Sequence, residues 1–519
     1  MALLFAFALA AGLYSVHLGI PQMWDIKNYH IYNPFAALNH RYLFDVAPAQ
    51  AQSYYNPALD FPFYLLIEWF NDRPRLIAFV LGAGHGLNLL CVALLAWYLL
   101  EGVPPALRTV LAGLAVLIGA TGAGSMPLIG AVTGDLQAAT PILAALVVAI
   151  YGIESAQTNP TLALRALAIS GMLAGLAVGL KLTMGAFGLG LAASLLVLPR
   201  AMLLGGLLRF AGGGIVGFLV AGGPHYFTIW RLFGNPFLPM FNTLFQSPYW
   251  QKVAPWDRRF LPKSWFDWLF YPFEWAHDSR PSLVAEFGFR DIRLALAIAL
   301  GVIVALTWLN SRLTGHPMRR PLSRGLCALI IFALVGYLLW LPLFSIYRYL
   351  LPLELLSGIF IVLALGALLT REAWPVVATA VAGLCIATTI PLEWGHAPIR
   401  NRYVEISAPT LQPNTLVVIM GTYPISYLVP FFDRSVRWVG GMNGLVNPDQ
   451  DNLMARRARD LIRGHQGPLM MLEAGAKEAN IAKAMARLSL ARSAGECAPV
   501  SSNLGGESYR LCPVEVQLP

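Results

Sequence analysis

The side chains able to do group-transfer chemistry fall in a few short stretches of an otherwise apolar sequence. The first stretch runs from Trp24 to Tyr64 and holds Asp25, His30, Arg41, Asp45 and Asp60 among eleven Phe, Trp or Tyr residues. Aromatic rings make flat apolar walls for a sugar ring or a lipid headgroup, and carboxylates supply proton transfer or metal ligation. A plain connector between membrane spans is shorter and more polar. Asp25 is the foremost base candidate, because it follows the first apolar run directly, where partial desolvation makes a carboxylate a stronger base. Its structural alternative is a helix cap or a salt bridge with Lys27.

Three further groups recur at the ends of apolar runs. Asp135 lies in GAVTGDLQAATP, Lys181 ends GLAVGLKL, and Arg348 with Tyr349 opens a late run in SIYRYLLPLE. Asp135 is a second acid, able to orient an acceptor or share a metal, or an N-cap of the helix that follows. An arginine suits a phosphate because its planar fork donates two hydrogen bonds at once. A lysine between spans either snorkels to the surface or marks a functional site. Arg348, Lys181, His30, Tyr349, Arg41 and Asp45 are therefore expected to contact substrate, with Asp25 and Asp135 the acids of the reaction.

Positioning these residues is the task of a membrane-embedded scaffold. The chain has 519 residues, 57% hydrophobic and 12% charged, and a mean hydropathy of +0.61. Soluble domains carry about 25% charged residues, so a polytopic α-helical membrane protein is expected. The net charge of +9 does not point to nucleic acid, since many basic residues sit in short connections between apolar runs, where they set topology and meet anionic lipid. Apolar runs of roughly span length fall near 1–20, 76–100, 108–124, 137–153, 164–181, 184–199, 203–222, 292–309, 323–342, 349–370 and 374–391, predicting about eleven transmembrane helices. The first run lacks an early Lys or Arg, and its one small-x-small triplet, Ala8 to Ala10, comes too soon for cleavage, so it is expected to stay as a span.

Orientation follows from the basic residues. A cytoplasmic N-terminus puts Arg108, Arg165, Arg200, Arg209, Arg312, Arg319, Arg320, Arg324 and Arg371 inside, against only Glu101, Glu154 and Glu372. All the large polar pieces then lie outside: loops 21–75 and 223–291 of a transmembrane domain 1–391, and a tail 392–519. The second loop holds twenty Phe, Trp or Tyr residues over 223–290. Phe233, Phe237, Phe241 and Phe245 recur every four positions and would make one helix face if Pro236 and Pro239 sit at the helix start, with short helices expected to lie in the headgroup layer. The tail alternates strand patterns at 415–420, 436–439 and 469–472 with amphipathic patterns at 451–464 and 477–490, predicting a small α/β domain. Its glycines form no GxGxxG or Walker pattern, so no nucleotide site is expected. Cys497 and Cys512 flank a Gly-Gly turn and are a disulfide candidate for an oxidising compartment, while Cys91, Cys327 and Cys385 lie in apolar runs.

This pattern resembles the GT-C superfamily of membrane glycosyltransferases, in an uncharacterised bacterial branch. The resemblance rests on Trp24-Asp25 after the first span, the long first outer loop, Gly134-Asp135 before the fourth span, Arg348-Tyr349 followed by Leu-Leu-Pro, an outer C-terminal domain, and Gly234-Asn235-Pro236-Phe237-Leu238-Pro239. It implies a GT-C-like fold in a bacterial inner membrane and transfer of a hexosyl or pentosyl group from a polyprenyl-phosphate-linked donor to a glycan, lipid or protein acceptor on the periplasmic face. Asp25 takes the place of the family's first-loop acid. Many members carry an acidic pair there, whereas Ile26 and Lys27 follow Asp25 here. A metal-free base and a divalent-metal site (Mg or Mn, on Asp25 and Asp135) both stay open. A transporter or flippase of a lipid-linked saccharide is the alternative, and a scaffold of an envelope-assembly complex a third reading. The one-sided distribution of polar mass, with no paired repeat, favours the enzyme.

Overall fold

A computed structural model describes residues 1–253, 257–277, 284–314, 322–443, 445–446, 451–505 and 507–517. Arg319 and Arg320 of the expected inner loops, and parts of loop 223–291, lie outside the described residues. The chain forms two compact units. One comprises Met1–His17, Phe79–Gly222 and Asp257–Trp394, and the other Leu18–Ala78, Gly223–Trp256 and Gly395–Pro519.

The architecture is that of a helical polytopic membrane protein. Among the described residues, seven helices are long and apolar enough to cross a membrane: Pro74–Leu99, Asp135–Ser155, Pro160–Leu180, Arg200–Phe233, Arg293–Thr314, Arg324–Leu343 and Tyr347–Leu368. They coincide with seven of the eleven apolar runs. The runs at 1–20, 108–124, 184–199 and 374–391 fall on shorter apolar helices, Ala2–Leu18, Pro105–Ala120, Leu182–Val197 and Ala373–Thr388.

Within the first unit, small residues let helices approach closely, as in membranes, where no hydrophobic force drives one helix against another. A Cβ on Gly175 would stand 1.9 Å from the carbonyl oxygen of Gly214, and one on Gly171 2.0 Å from that of Phe210. Helix 160–180 therefore packs backbone to backbone on helix 200–233. The helix from Tyr347 to Leu368 is 78% buried over its most apolar window, against 11% for Arg293–Thr314. The former is the central post of the unit and the latter a peripheral one.

The second unit is built on a seven-stranded sheet. Its strands are β1 (Ile406–Ser407), β2 (Leu416–Gly421), β3 (Arg437–Gly440), β4 (Leu469–Ala474), β5 (Leu490–Arg492), β6 (Ala498–Ser502) and β7 (Tyr509–Val516). The order is β1-β6-β7-β4-β2-β3, with β5 also paired to β7. β2 runs parallel to β3 and β4, and the remaining pairs are antiparallel. Helices Leu453–Arg463 and Glu478–Arg487 bury Met454, Ala458, Ile462, Ile481 and Met485 against it. The three expected strands and both expected helices of the tail are present, and β1, β5, β6 and β7 are additional.

The tail does not stand apart from the loop that follows the first helix. Val46 extends the sheet beside β3: its N–H donates to the Trp438 carbonyl at 2.9 Å, and its own carbonyl accepts from Gly440 N–H at 2.8 Å. Ile20–Pro21 likewise pairs antiparallel with His396–Ala397. The aromatic repeat from Phe233 does not make one helix. Helix 200–233 ends at Gly234, which has φ +74°; within the repeat only Asn242–Phe245 is helical beyond it, and a separate helix, Trp265–His277, lies further along the loop. The Asn235 side chain accepts from Phe237 N–H and donates to the Met240 carbonyl, so the asparagine holds a turn where a helix was expected. Phe237 still gathers Phe241 and Phe245, at ring distances of 5.6 and 6.0 Å.

Candidate functional site

In the first unit, four of the expected residues come together. Gly134 takes φ +75°, a conformation open to glycine, and turns the chain so that Asp135 is the first residue of helix 135–155. The carboxylate is fully buried there, at the positive end of the helix dipole. Lys181 caps helix 160–180 in an extended conformation. Its amine donates to the Thr133 carbonyl at 2.7 Å and to Asp135 Oδ1. Arg348 lies on the 3-10 turn Tyr347–Leu350, with Nε 4.0 Å from Asp135 Oδ2. The Tyr349 ring stands 5.3 Å from the lysine amine and 5.4 Å from the Arg348 guanidinium, in cation-π range of both.

Two cations on one carboxylate leave a net charge of about +1 in a partly desolvated place, where Coulomb forces are least screened. Such a place attracts an anion, and the fork of Arg348 suits phosphate oxygens.

The turn that carries Arg348 is braced by residues the sequence reading did not single out. Glu354, fully buried, accepts from Gly124 N–H at 2.9 Å and Ser125 N–H at 2.7 Å. Asp291 and Arg293, also buried, pair at 2.8 Å. Asp291 accepts from Ala123 N–H, and Arg293 donates to the carbonyls of Ile118 and Thr121 and to Thr389 Oγ1. Tyr347 N–H donates to the Val284 carbonyl at 2.7 Å. An acid inside an apolar run, as Glu354 is, was the legible signal for this network.

The other expected residues belong to the second unit. Asp25 is half-buried and immediately precedes a π-helical turn, Ile26–His30. Lys27 of this turn pairs with Glu507 at 3.7 Å. In such a turn, closed by i→i+5 bonds, residues five apart come to one side, and turns of this kind are common at functional sites. His30 is buried, with Nδ1 2.6 Å from Asp60 Oδ1. A carboxylate only accepts, so Nδ1 carries a hydrogen in this bond. No partner for Nε2 is present among the described residues. Asp60 is thus a further residue of interest, visible in sequence only as one more acid of the loop.

Arg41 and Asp45 are joined to each other and to the sheet. Arg41 Nε and Nη2 donate to the two Asp45 oxygens at 2.6 and 2.8 Å, and its nitrogens also reach the carbonyls of Arg434 and Val436. Asp45 accepts from Trp438 N–H at 2.9 Å and from the Tyr32 hydroxyl at 3.0 Å. Burial pushes the Tyr32 phenol well above its usual range, which keeps it a donor. The pair is therefore a clamp between loop and sheet. Cys497 and Cys512 are joined by a disulfide.

Among the described residues, no group of three or more His, Cys, Asp or Glu could hold a metal ion, and the Asp135 carboxylate already faces two cations.

No protein-family model and no curated protein sequence matches the chain. Among solved structures, it is similar to the crystal structure of ArnT from Cupriavidus metallidurans bound to undecaprenyl phosphate, with a TM-score of 0.55 and 14% sequence identity over 99% of this chain and 97% of that one. At that identity the likeness is one of fold.

Proposed function

We propose that the protein is a GT-C-like glycosyltransferase of a bacterial inner membrane, which moves a sugar from a polyprenyl-phosphate-linked donor to an acceptor on the periplasmic face. The observation that carries this reading is the Asp135, Lys181 and Arg348 cluster, whose surplus positive charge suits a lipid phosphate. The full-length likeness of fold to a chain that holds undecaprenyl phosphate supports it. In this reading all eleven apolar runs cross the membrane, the N-terminus is cytoplasmic and the tail is periplasmic.

Two parts of the chain have separate tasks. Arg348 and Lys181 stabilise the phosphate as the bond from the anomeric carbon to the phosphate oxygen breaks. Asp135 holds the lysine in place. Asp25 takes the proton of the acceptor hydroxyl as its oxygen bonds to the anomeric carbon.

The test is sugar transfer by purified protein in nanodiscs, offered a panel of polyprenyl-phosphate sugars with and without a chelator. Turnover that is lost in folded Asp25→Asn and persists with chelator supports the reading. Equal turnover in Asp25→Asn moves the base elsewhere. Saturable binding of the lipid without turnover of any donor supports a transporter of lipid-linked saccharides instead.

A further inference from the structure

The second unit contains a cavity that the reaction just described does not use. Its volume is about 340 Å³, within the size range of small-molecule sites. One wall is the extended chain through Val404 and Ile406, which enters β1. Phe431 and Phe432 form another part of the lining, with Arg402, Asp433, Asn71 and the segment 408–411. Phe432 is fixed by the Trp438 ring at 5.1 Å. Phe431 is 40% exposed, a large ring left open to solvent.

The polar groups are arranged for a ligand. Arg402 is exposed and makes no ion pair among the described residues. Asp433 Oδ1 accepts from the Ser435 N–H at 2.8 Å and from its hydroxyl at 2.5 Å. These two bonds hold its carboxyl below the usual range, so it is an ionised acceptor. Asn71 is a strut: its amide group both donates to the carbonyl and accepts from the N–H of Val404 at 2.8 Å.

The lining selects among ligand classes. One guanidinium and one carboxylate cancel, so a phosphate or nucleotide gains no net attraction. Charged groups at the lining do not suit an acyl chain. An added peptide strand would need the hydrogen-bonding edge of β1, whereas Val404, Ile406 and Ala408 line the cavity at alternate positions, as one face of an extended chain does, before Pro409, Thr410 and Leu411 continue the lining. An exposed ring beside a planar donor and a planar acceptor matches a pyranose, which offers an apolar C–H face and a rim of hydroxyls.

We propose that this cavity binds a saccharide unit, with the ring of Phe431 against the sugar face and Arg402 and Asp433 on its hydroxyls. That the bound sugar belongs to the acceptor rests on the glycosyl-transfer reading; the binding itself does not.

The test is a titration of full-length protein in nanodiscs with methyl glycosides of glucose, mannose and N-acetylglucosamine, read by saturation-transfer NMR, with undecaprenyl phosphate binding measured in parallel. Saturable binding of at least one glycoside is expected, weakened about tenfold or more in Phe431→Ala and in Arg402→Gln, with lipid binding unchanged in both. Both side chains are exposed, so both variants should fold. The proposal is overturned if no glycoside saturates the wild type, if both variants bind like the wild type, or if only extended peptides compete for the cavity. Glycoside binding without turnover of any donor sustains the cavity assignment while the transfer reading fails.

Discussion

Lys181 and Asp135 stand 46 positions apart in the chain, yet the lysine amine donates to a carboxylate that is wholly buried. Lys181 is the closer of the two cations that compensate this charge, since Arg348 comes only to 4.0 Å. In the proposed reading both cations face the phosphate, but Lys181 carries the larger share of the compensation of Asp135 and Arg348 the smaller.

Removing Arg348 tests the second half of that division. Arg348→Gln should keep its fold, because Lys181 still compensates Asp135. Its affinity for undecaprenyl phosphate should fall about tenfold or more, as expected for a lost charge-assisted hydrogen bond worth about 1.5–3 kcal/mol. Lipid titration in nanodiscs reads this directly, and an unchanged affinity would remove Arg348 from the phosphate site.

Lys181→Met tests the first half. It leaves a buried carboxylate with only the more distant cation, and should destabilise the protein by about 3–5 kcal/mol. Adding Asp135→Asn should recover much of that loss, since the orphaned charge is then gone. Thermal unfolding of the two single variants and the double variant measures the coupling, and additive losses would mean that the pair is not energetically linked.

The clamp between Arg41 and Asp45 makes a similar prediction for the second unit. Arg41→Ala strands a buried carboxylate beside Trp438 N–H and frees the carbonyls of Arg434 and Val436. A loss of about 3–5 kcal/mol is expected, with new protease cuts between residues 40 and 55 as Val46 leaves the sheet edge. Replacing both partners with leucine should cost far less. Protease resistance equal to wild type in Arg41→Ala would show that Val46 holds the loop without the clamp.

What the sequence made legible was local. Continuous apolar runs gave the membrane helices, and TLVVIM, VRWV and LMML gave β2, β3 and β4, because each signal lies within a few residues of itself. β6 and β7 carry Pro499 and Pro513, which weaken a strand signal. The addition of Val46 to β3 joins residues some 390 positions apart, which no local pattern encodes. The Phe233 repeat had the right period and the wrong outcome, because Asn235 and Asn242 bond nearby backbone in preference to helix continuation. At the site, the residue types of Asp135, Lys181 and Arg348 were readable, but the meeting of Asp135 and Lys181 depends on the packing of helix 135–155 on helix 160–180, where Gly152 stands against Ala163 and Ala166, as much as on the residues themselves. Arg41 and Asp45 show the reverse: their types suggested substrate, and their neighbours make them a clamp.

The disulfide offers a test of how the sheet is held. Cys497 stands one residue before β6 and Cys512 lies within β7, so the bond closes a loop of sequence separation 15 around the turn between them. Closing a loop of that length removes chain entropy from the unfolded state worth about 3 kcal/mol. β7 pairs with β4, β5 and β6, so loosening it should weaken the sheet that anchors Val46. Reductant should therefore lower the unfolding temperature of the wild type and leave the Cys497→Ser, Cys512→Ser double variant unchanged, with the reduced wild type and the variant melting together. An equal response to reductant in both would place the effect outside this pair. No response in either would mean that the strand pairing of β7 alone fixes the hairpin.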